Sequence, residues 1–567
     1  MKKRWKLNPV DKGLKDTLAS KLEVLPITAQ LLINRGLVDC DKAFSFLSPD
    51  LKDLRDPFLL KDMDRAVERV LRAVKSGERI AVYGDYDVDG TSSAALLYLF
   101  FREMGVQAEC YIPEREKEGY GLNAEAMKRL KAKGVSLLIT VDCGTSNRDE
   151  VSFASSIGID VIVTDHHEVP SEIPPAYALI NPKRKDCPFP FKGLAGVGVA
   201  FNFVMALRSR LRTEAFFRDA EPNLKRYLDL VAVGTVADMA PLLDENRIFV
   251  SWGLKEIANP TRPGLKALRE TASYRGALDS DTIAFTLAPR LNAAGRLGTA
   301  MTSFRLLTTE DSAEAASLAA LLQRENLSRQ RLEEEILNDA LGMLKVGVAD
   351  RGIVLFSEDW HPGVIGIVAS RIVERFARPA VMVALSGGIG KGSARGIKSF
   401  DILEGLKACS AHLERFGGHK AAAGLTVRRD RLDAFRQEFI RHLNSTLTDE
   451  DLVPEIVLDA AVSLGEVDMR LVEEAGALAP FGVSNKEPLL CINGARIVQT
   501  EVVKGKHLRF SLQHDGCRRT AIGFNLAEMH PMEGNGFSIA FSPYADEWQG
   551  VRNPGIRIRD VKAGPQV

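Results

Sequence analysis

The sequence predicts an α/β protein with three parts: a doubly wound parallel-sheet lobe, a smaller α/β lobe joined to it by a long helix, and a C-terminal OB-like β-barrel. Three observations lead there. From Arg79 to Pro170, strand-length apolar runs alternate with helical patterns of about a dozen residues, which marks a parallel sheet covered on both faces. From Ser312 to about Leu344 a charged pattern with helical period continues without a break. After about Glu455 short alternating apolar runs are separated by turns such as Asn493-Gly494 and His514-Asp515-Gly516. A chain of 567 residues is also too long for one core.

The elements follow in order. Residues 1 to about 50 read as short helices with polar breaks, and Asp64–Ser76 is a helical pattern stopped by Gly77. RIAVYGDYD, from Arg79, is a first strand, and TSSAALLYLFFREMG an amphipathic helix stopped by Gly105. AECYIP is a second strand, LNAEAMKRLKAKG a helix ending at Gly134, VSLLITVDCGT a third strand and IDVIVTDHHEVP a fourth. The long charged pattern is a solvated linker helix between two lobes across a cleft. Beyond it, RGIVLFSEDWHPGVIGIVASRIVERF reads as strand, turn and helix, with Gly363 and Gly366 at the helix start. The expected domains are an N-terminal helical segment (1–50), a catalytic lobe (51–305), a connecting helix (306–346), a phosphate-binding lobe (347–446) and an OB-like barrel (447–567).

Composition narrows the function. Hydrophobic residues at 45% and charged residues at 26% fit a soluble globular protein. Lys+Arg and Asp+Glu are both 75, so bulk charge announces no nucleic-acid partner, and any such surface must be local. Seven scattered cysteines without a CxxC pair argue against a disulfide framework or zinc ribbon and fit a reducing cytoplasm. The basic start MKKRWKLNP has no apolar stretch behind it, no run is long enough to span a membrane, and no GxxxxGK[ST] suggests an NTPase.

The polar punctuation carries the chemistry. Asp85, Asp87 and Asp89 follow the first strand, Asp142 ends the third, and Asp165, His166 and His167 end the fourth. A small-residue apolar segment, VAVGTVADMAPL, leads to Asp238. Any one of these is ordinarily a cap or a turn. Ligands in open α/β sheets, however, bind outside the carboxyl ends of the strands, so all four clusters converge on one spot. Several carboxylates with one or two imidazoles suit Mn2+ or Mg2+, and a pair of such ions is the common device of phosphoryl transfer.

In the second lobe, the glycines before IVASRIVERF, the loop GKGSARG and the loop FGGHKAAAG bring Ser393, Arg395 and His419 among backbone N–H groups that an anion could approach. In the last region Lys504, Lys506, Arg509, Arg518 and Arg519 accompany Phe510 and Phe524, which serve either as barrel core or as a stacking surface for single strands.

GDYDVDG, VDCGT, TDHHEVP and GTVADMAPL, in that order, resemble the DHH phosphoesterase superfamily. PRLNAAGRLGTA, WHPGVIGIVASRIVERF, GSARG and FGGHKAAAGLTV extend the resemblance to its single-strand-specific exonuclease family. The resemblance implies metal ligation by Asp87, Asp89, Asp142, His166 and Asp238, with Asp142 bridging two ions of Mn2+ or Mg2+. It makes Asp85 a supporting ligand or a base behind the ligands. It also sets Asp165 to orient an imidazole and His167 toward the scissile phosphate. One departure stands out: smaller members such as manganese pyrophosphatases carry a His where this chain has Tyr83. For the substrate the resemblance implies Arg290, Asn292 and Arg296, then Arg371, Ser393 and Arg395 on a 5′-terminal phosphate, and Gly418 and His419 near the scissile group.

The implied activity is 5′→3′ degradation of single-stranded DNA to mononucleotides, in recombination and repair in a bacterial cytoplasm. A single-stranded-DNA-binding protein and a helicase are the implied partners, and a monomer is expected. The alternatives are a hydrolase of short oligonucleotides, cyclic dinucleotides or pyrophosphate, and a non-catalytic nucleic-acid-binding scaffold. The barrel speaks against the first and the full ligand set against the second.

Overall fold

The structure, a computed structural model, describes residues 3–114, 118–119, 121–217, 220–274, 276, 278–344, 350–548 and 550–564. The chain forms two compact units: Lys6–Gly295, Thr299–Gln323 and Val457–Val567 make the larger, and Met1–Trp5, Arg296–Gly298 and Arg324–Ile456 the smaller. The expected junction at 346/347 lies outside the described residues.

The larger unit is built on five parallel strands: β1 (Arg79–Gly84), β2 (Ala108–Tyr111), β3 (Val135–Val141), β4 (Asp160–Thr164) and β5 (Ala178–Ile180), in the order β2-β1-β3-β4-β5. Alternate residues feed two cores. Ile80, Val82, Leu137, Ile139, Val141 and Ile162 pack on one face with helices α1 (Val88–Glu103), α2 (Gly196–Thr213) and α3 (Leu228–Ala237). Ala81, Tyr83, Leu138, Val161 and Val163 pack on the other with helices Ala124–Ala132 and Arg148–Ser156. Burial on both faces is why these strands read as continuous apolar runs rather than alternating ones. The three-residue β5 is too short to show any period in the sequence.

The long helix α4 (Ser312–Met343) runs from one unit into the other and exposes much of its charged surface, as expected, but it also carries a buried stripe that its charge conceals. Ala315, Leu318, Ala319 and Leu322 lie in the core of the larger unit, whereas Ile336 and Ala340 lie in that of the smaller one. Between them Asn326, Arg329 and Glu333 are buried polar side chains. These positions recur with the helical period and make one stripe along α4, whose middle is polar.

The smaller unit has a mixed sheet: β6 (Ile353–Ser357), β7 (Ala380–Ser386), β8 (Ile389–Arg395), β9 (Arg415–Gly418) and β10 (Ala422–Arg428), in the order β9-β10-β8-β7-β6. Only β6 and β7 are parallel. Helix α5 (Ile365–Phe376) buries Ile365, Val368, Ala369 and Ile372 with Ile336 and Ala340 of α4.

In the larger unit the C-terminal region closes a five-stranded barrel. Strands β11 (Leu490–Val503), β12 (His507–His514), β13 (Cys517–Gly523), β14 (Gly534–Trp548) and β15 (Val551–Ala563) pair in the order β11-β12-β13-β15-β14, and β14 returns to β11. Closure leaves no free edge among these strands. The N-terminal helices Lys12–Leu22, Pro26–Ile33 and Cys40–Leu47, preceded by a short strand at Arg4–Leu7, share the barrel's core. Leu18, Leu31, Leu32 and Phe46 pack there with Leu490, Phe510 and Phe541. Buried Arg247 joins the parts: its guanidinium donates to the carbonyls of Phe46, Leu478 and Ala477 at 2.9, 2.8 and 3.1 Å and lies 3.8 Å from the Phe46 ring centre.

Candidate metal centre

The carboxyl ends of β1, β3, β4 and β5 converge as the topology requires. Beyond β1 the chain turns directly into α1, with Asp87 as its N-cap accepting from Gly90 N at 3.0 Å. This turn is possible because Gly90 has no Cβ; one would sit 2.6 Å from the Asp85 backbone. Asp142 follows β3 with φ 60, and its N–H still donates to Thr164 O, so the ladder continues past the strand while the side chain is redirected. A non-glycine residue in that region stores strain, a device concentrated at functional sites. Gly196 provides the room, since a Cβ there would meet Asp142 Oδ1 at 2.6 Å. Asp238 arrives differently from the other acids: it caps the C-terminus of helix α3, not a strand.

The predicted acids and histidines thus meet. Ligand atoms of Asp85, Asp87 and Asp142 lie within 4.8 Å of one another, as do those of Asp89, His166 and Asp238, and those of Asp142, His166 and His167. Asp142 and His166 each belong to two of these triads. Asp142 Oδ1 and His166 Nε2 face each other at 3.1 Å, both buried and neither with a hydrogen-bond partner among the described residues. Asp89 Oδ2 is 3.9 Å from His166 Nε2, and Asp238 Oδ2 is 3.8 Å from His166 Nδ1. Buried polar atoms without partners, surrounded by carboxylates, are what a divalent cation would satisfy.

The electrostatics agree. Burial, then the charge of Asp238, pushes Asp89 up to about 7. Burial, then Asp87, does the same to Asp238. Burial and the neighbouring carboxylates raise Asp142 well above the usual range, whereas burial lowers His166. The cluster resists full ionisation on its own, and positive charge would relieve it.

Around the cluster runs a set of fixed hydrogen bonds. Asp89 accepts from Gly196 N at 2.7 Å and Val197 N at 2.8 Å, at the start of α2. Asp165 Oδ1 accepts from His166 N and from His167 Nδ1 at 2.8 Å, and Asp165 Oδ2 from Thr145 N. Burial alone would lower the His167 pKa, but the Asp165 contact outweighs it and raises it to about 9. Fully buried Asn181, just after β5, donates to His167 O at 2.9 Å and to Thr145 Oγ1. The sequence reading missed Asn181; its signal was the apolar triplet ALI ending in a polar residue. The Tyr83 hydroxyl, in contrast, donates to Gly121 O at 3.0 Å and accepts from Asn123, so this side chain is committed elsewhere.

The predicted substrate residues fall into separate places. Asn292 Oδ1 accepts from Val88 N at the start of α1, beside the metal-centre turn. Arg290 is tied to Gln323 and to Thr286 O. In the smaller unit, Arg296 donates to Gly363 O at 3.0 Å. Arg395 donates from Nη1 to Ser393 Oγ and from Nε to Ser370 Oγ, both at 3.1 Å, under Gly366, whose Cβ would collide with Ser393 and Arg395. Arg371 Nε forms an ion pair with Glu333 Oε1 at 2.5 Å, and its side chain is half exposed. Gly418 and His419 are exposed at the end of β9.

A carboxylate–imidazole cluster at the strand ends of a doubly wound sheet defines a metal-dependent phosphoesterase lobe, and the DHH family N-terminal domain matches residues 79–235. The DHHA1 domain matches 349–445 and the RecJ OB domain 458–560. The single-stranded-DNA-specific exonuclease RecJ of Dickeya dadantii is 40% identical over 536 residues, covering 91% of this chain and 93% of that protein. The crystal structure of RecJ in complex with Mn2+ from Thermus thermophilus aligns with a TM-score of 0.85 at 32% identity, over 99% of this chain and 79% of that one. The Mg2+ complex of the same protein gives 0.78 at 31%, over 99% and 78%. This chain belongs to the RecJ family.

Proposed function

We propose that this protein is a metal-dependent exonuclease that degrades single-stranded DNA from the 5′ end to mononucleotides, in recombination and repair. The observation that carries the reading is the set of overlapping triads sharing Asp142 and His166. Asp87, Asp89, Asp142, His166 and Asp238, supported by Asp85, would hold Mn2+ or Mg2+, with Asp142 between two ions. Such ions supply an activated water and steady the leaving oxygen. Asp165 holds a proton at His167 Nδ1, which places positive charge beside the acids, where a scissile phosphate would sit. Ser393 and Arg395, with Arg371, would take the terminal phosphate by the guanidinium fork, and His419 a site nearer the cut. Capture of the terminal phosphate would give the strand its direction of degradation.

The domain limits 51–305, 347–446 and 447–567 belong to this proposal, as do a single-stranded-DNA-binding protein and a helicase as partners, a monomeric state and a cytoplasmic location. They are supported by family membership. Among the described residues no helix is long and apolar enough to cross a membrane.

The test is degradation in Mn2+ of one strand labelled at its 5′ or its 3′ end, beside a duplex and a trinucleotide. Immediate release of the 5′ label as a mononucleotide, stepwise shortening of the 3′-labelled strand and an intact duplex are expected. Cleavage of the trinucleotide alone would make the protein a short-oligonucleotide hydrolase.

A further inference from the structure

Glu333 on α4 is a carboxylate that the metal centre does not use, and its surroundings are unusual. The side chain is only 2% exposed. Oε2 accepts from Arg329 Nη1 at 2.5 Å, one turn back on the same helix, and Arg329 Nη2 donates to Asn326 Oδ1 at 2.8 Å. This ladder along the buried stripe already holds Glu333 in place. Its other oxygen, Oε1, lies 2.5 Å from Arg371 Nε of α5 as an ion pair without the alignment of a hydrogen bond, so the attraction is one of charge. Arg371 itself is 52% exposed. A mutual surface pair would leave both groups in water, where such contacts are weak. Here one end is a buried anchor, braced by a second arginine, and the other is an arm that extends into solvent.

The preceding residue on α5 extends the argument. The Ser370 hydroxyl accepts from Arg395 Nε, and Arg395 also holds Ser393. One turn of α5 thus carries both the arginine that Glu333 draws by charge and the serine that is hydrogen-bonded to Arg395. A long arginine side chain loses rotamer freedom when it grips an anion, and binding is tighter when that loss has already been taken in the free protein.

We infer that Glu333 is a positioning residue: from its buried place on α4 it aims Arg371 and steadies the α5 turn beside Ser393 and Arg395, thereby setting the preference for a 5′-phosphorylated end. This rests on the reading of that loop as the 5′-phosphate site.

The test measures binding without metal. Fluorescence anisotropy of a 3′-labelled oligonucleotide, bearing either a 5′-phosphate or a 5′-hydroxyl, is read in EDTA for wild type, Glu333→Gln, Glu333→Asp, Arg371→Ala and the Glu333→Gln/Arg371→Ala double variant. Wild type is expected to prefer the phosphorylated strand. Glu333→Gln should weaken that strand's binding about tenfold and leave the hydroxyl strand unchanged. The double variant should be no worse than Arg371→Ala alone, and Glu333→Asp, which keeps the charge and shortens the reach, should fall between. Equal losses for both strands, or additive losses in the double variant, would overturn the inference and leave a merely structural ion pair. If Glu333→Gln does not fold, Glu333→Asp and the Arg371 variant decide by the same ratio. A wild type indifferent to the phosphate would instead overturn the end-binding reading itself, and the inference with it.

Discussion

Asp142 occupies the position on which the centre turns, since it belongs to two of the three ligand triads and holds its side chain there through a left-handed backbone and the missing Cβ of Gly196. Asp142→Ala is expected to lower cleavage on the order of 10³-fold, to abolish metal-induced thermal stabilisation, and to leave strand binding in EDTA intact. Near-normal cleavage would move the metals elsewhere. Glu245 gives a separate prediction. Burial raises its carboxyl to about 7, against the pull of the Arg55 backbone N–H and guanidinium. In the unfolded chain the group ionises near pH ~4.3. Between about 4.3 and 7 the unfolded chain has released a proton that the folded one keeps, so this residue lowers stability as pH rises through that window. Glu245→Gln stays neutral throughout; its melting temperature relative to wild type should therefore climb from about pH 5 to 8. A constant difference would mean that Glu245 ionises normally. The acids and histidines of the centre were legible as residues because each ends an apolar run. That Asp238 closes a helix, and that Asn181 supports His167, was not, because both depend on packing between distant segments.

Among the elements, the barrel shows how alternation sorts one residue from its neighbour. On β12, Phe510 points inward and is fully buried, whereas Arg509 faces out to Glu501. Phe524, just past β13, is 51% exposed and packs edge-on against His507, 5.0 Å between ring centres. Phe510→Ala should destabilise the protein by about 3–5 kcal/mol. Phe524→Ala should leave the melting temperature unchanged and weaken single-strand binding by about 1–3 kcal/mol, measured by anisotropy; unchanged binding would remove Phe524 from the DNA surface. From the sequence the two were indistinguishable in role, since period-two alternation gives a face only once the register is known. Helix α4 was legible as a helix, but its buried face was not, for the opposite reason. Its stripe from Ala315 to Ala340 is regular, but Asn326, Arg329 and Glu333 occupy the positions where apolar residues would have revealed it.

For the whole molecule, repulsion among the acids predicts that metal is part of stability as well as of chemistry. Mn2+ at about a hundred times its Kd should add about 2.7 kcal/mol, seen as a rise in melting temperature that EDTA reverses and that Asp142→Ala lacks. No shift in wild type would mean that the cluster is satisfied without a cation. The parallel sheet, the separate α/β unit and the barrel were all legible, since each has its own period. That residues 6–50 would share a core with a barrel some four hundred residues away was not, because no local pattern encodes a partner so distant.

That shared core has a consequence for biosynthesis. Leu18, Leu31, Leu32 and Phe46 leave the ribosome some four hundred residues ahead of the strands that cover them. At roughly 5–20 residues per second, the first helices wait on the order of tens of seconds for their partners, while the smaller unit, inserted in between, is already complete. A nascent chain arrested before Val457 would therefore hold a finished sheet and three apolar helices still uncovered, a natural handle for chaperones and for the proteases that clear unfinished products.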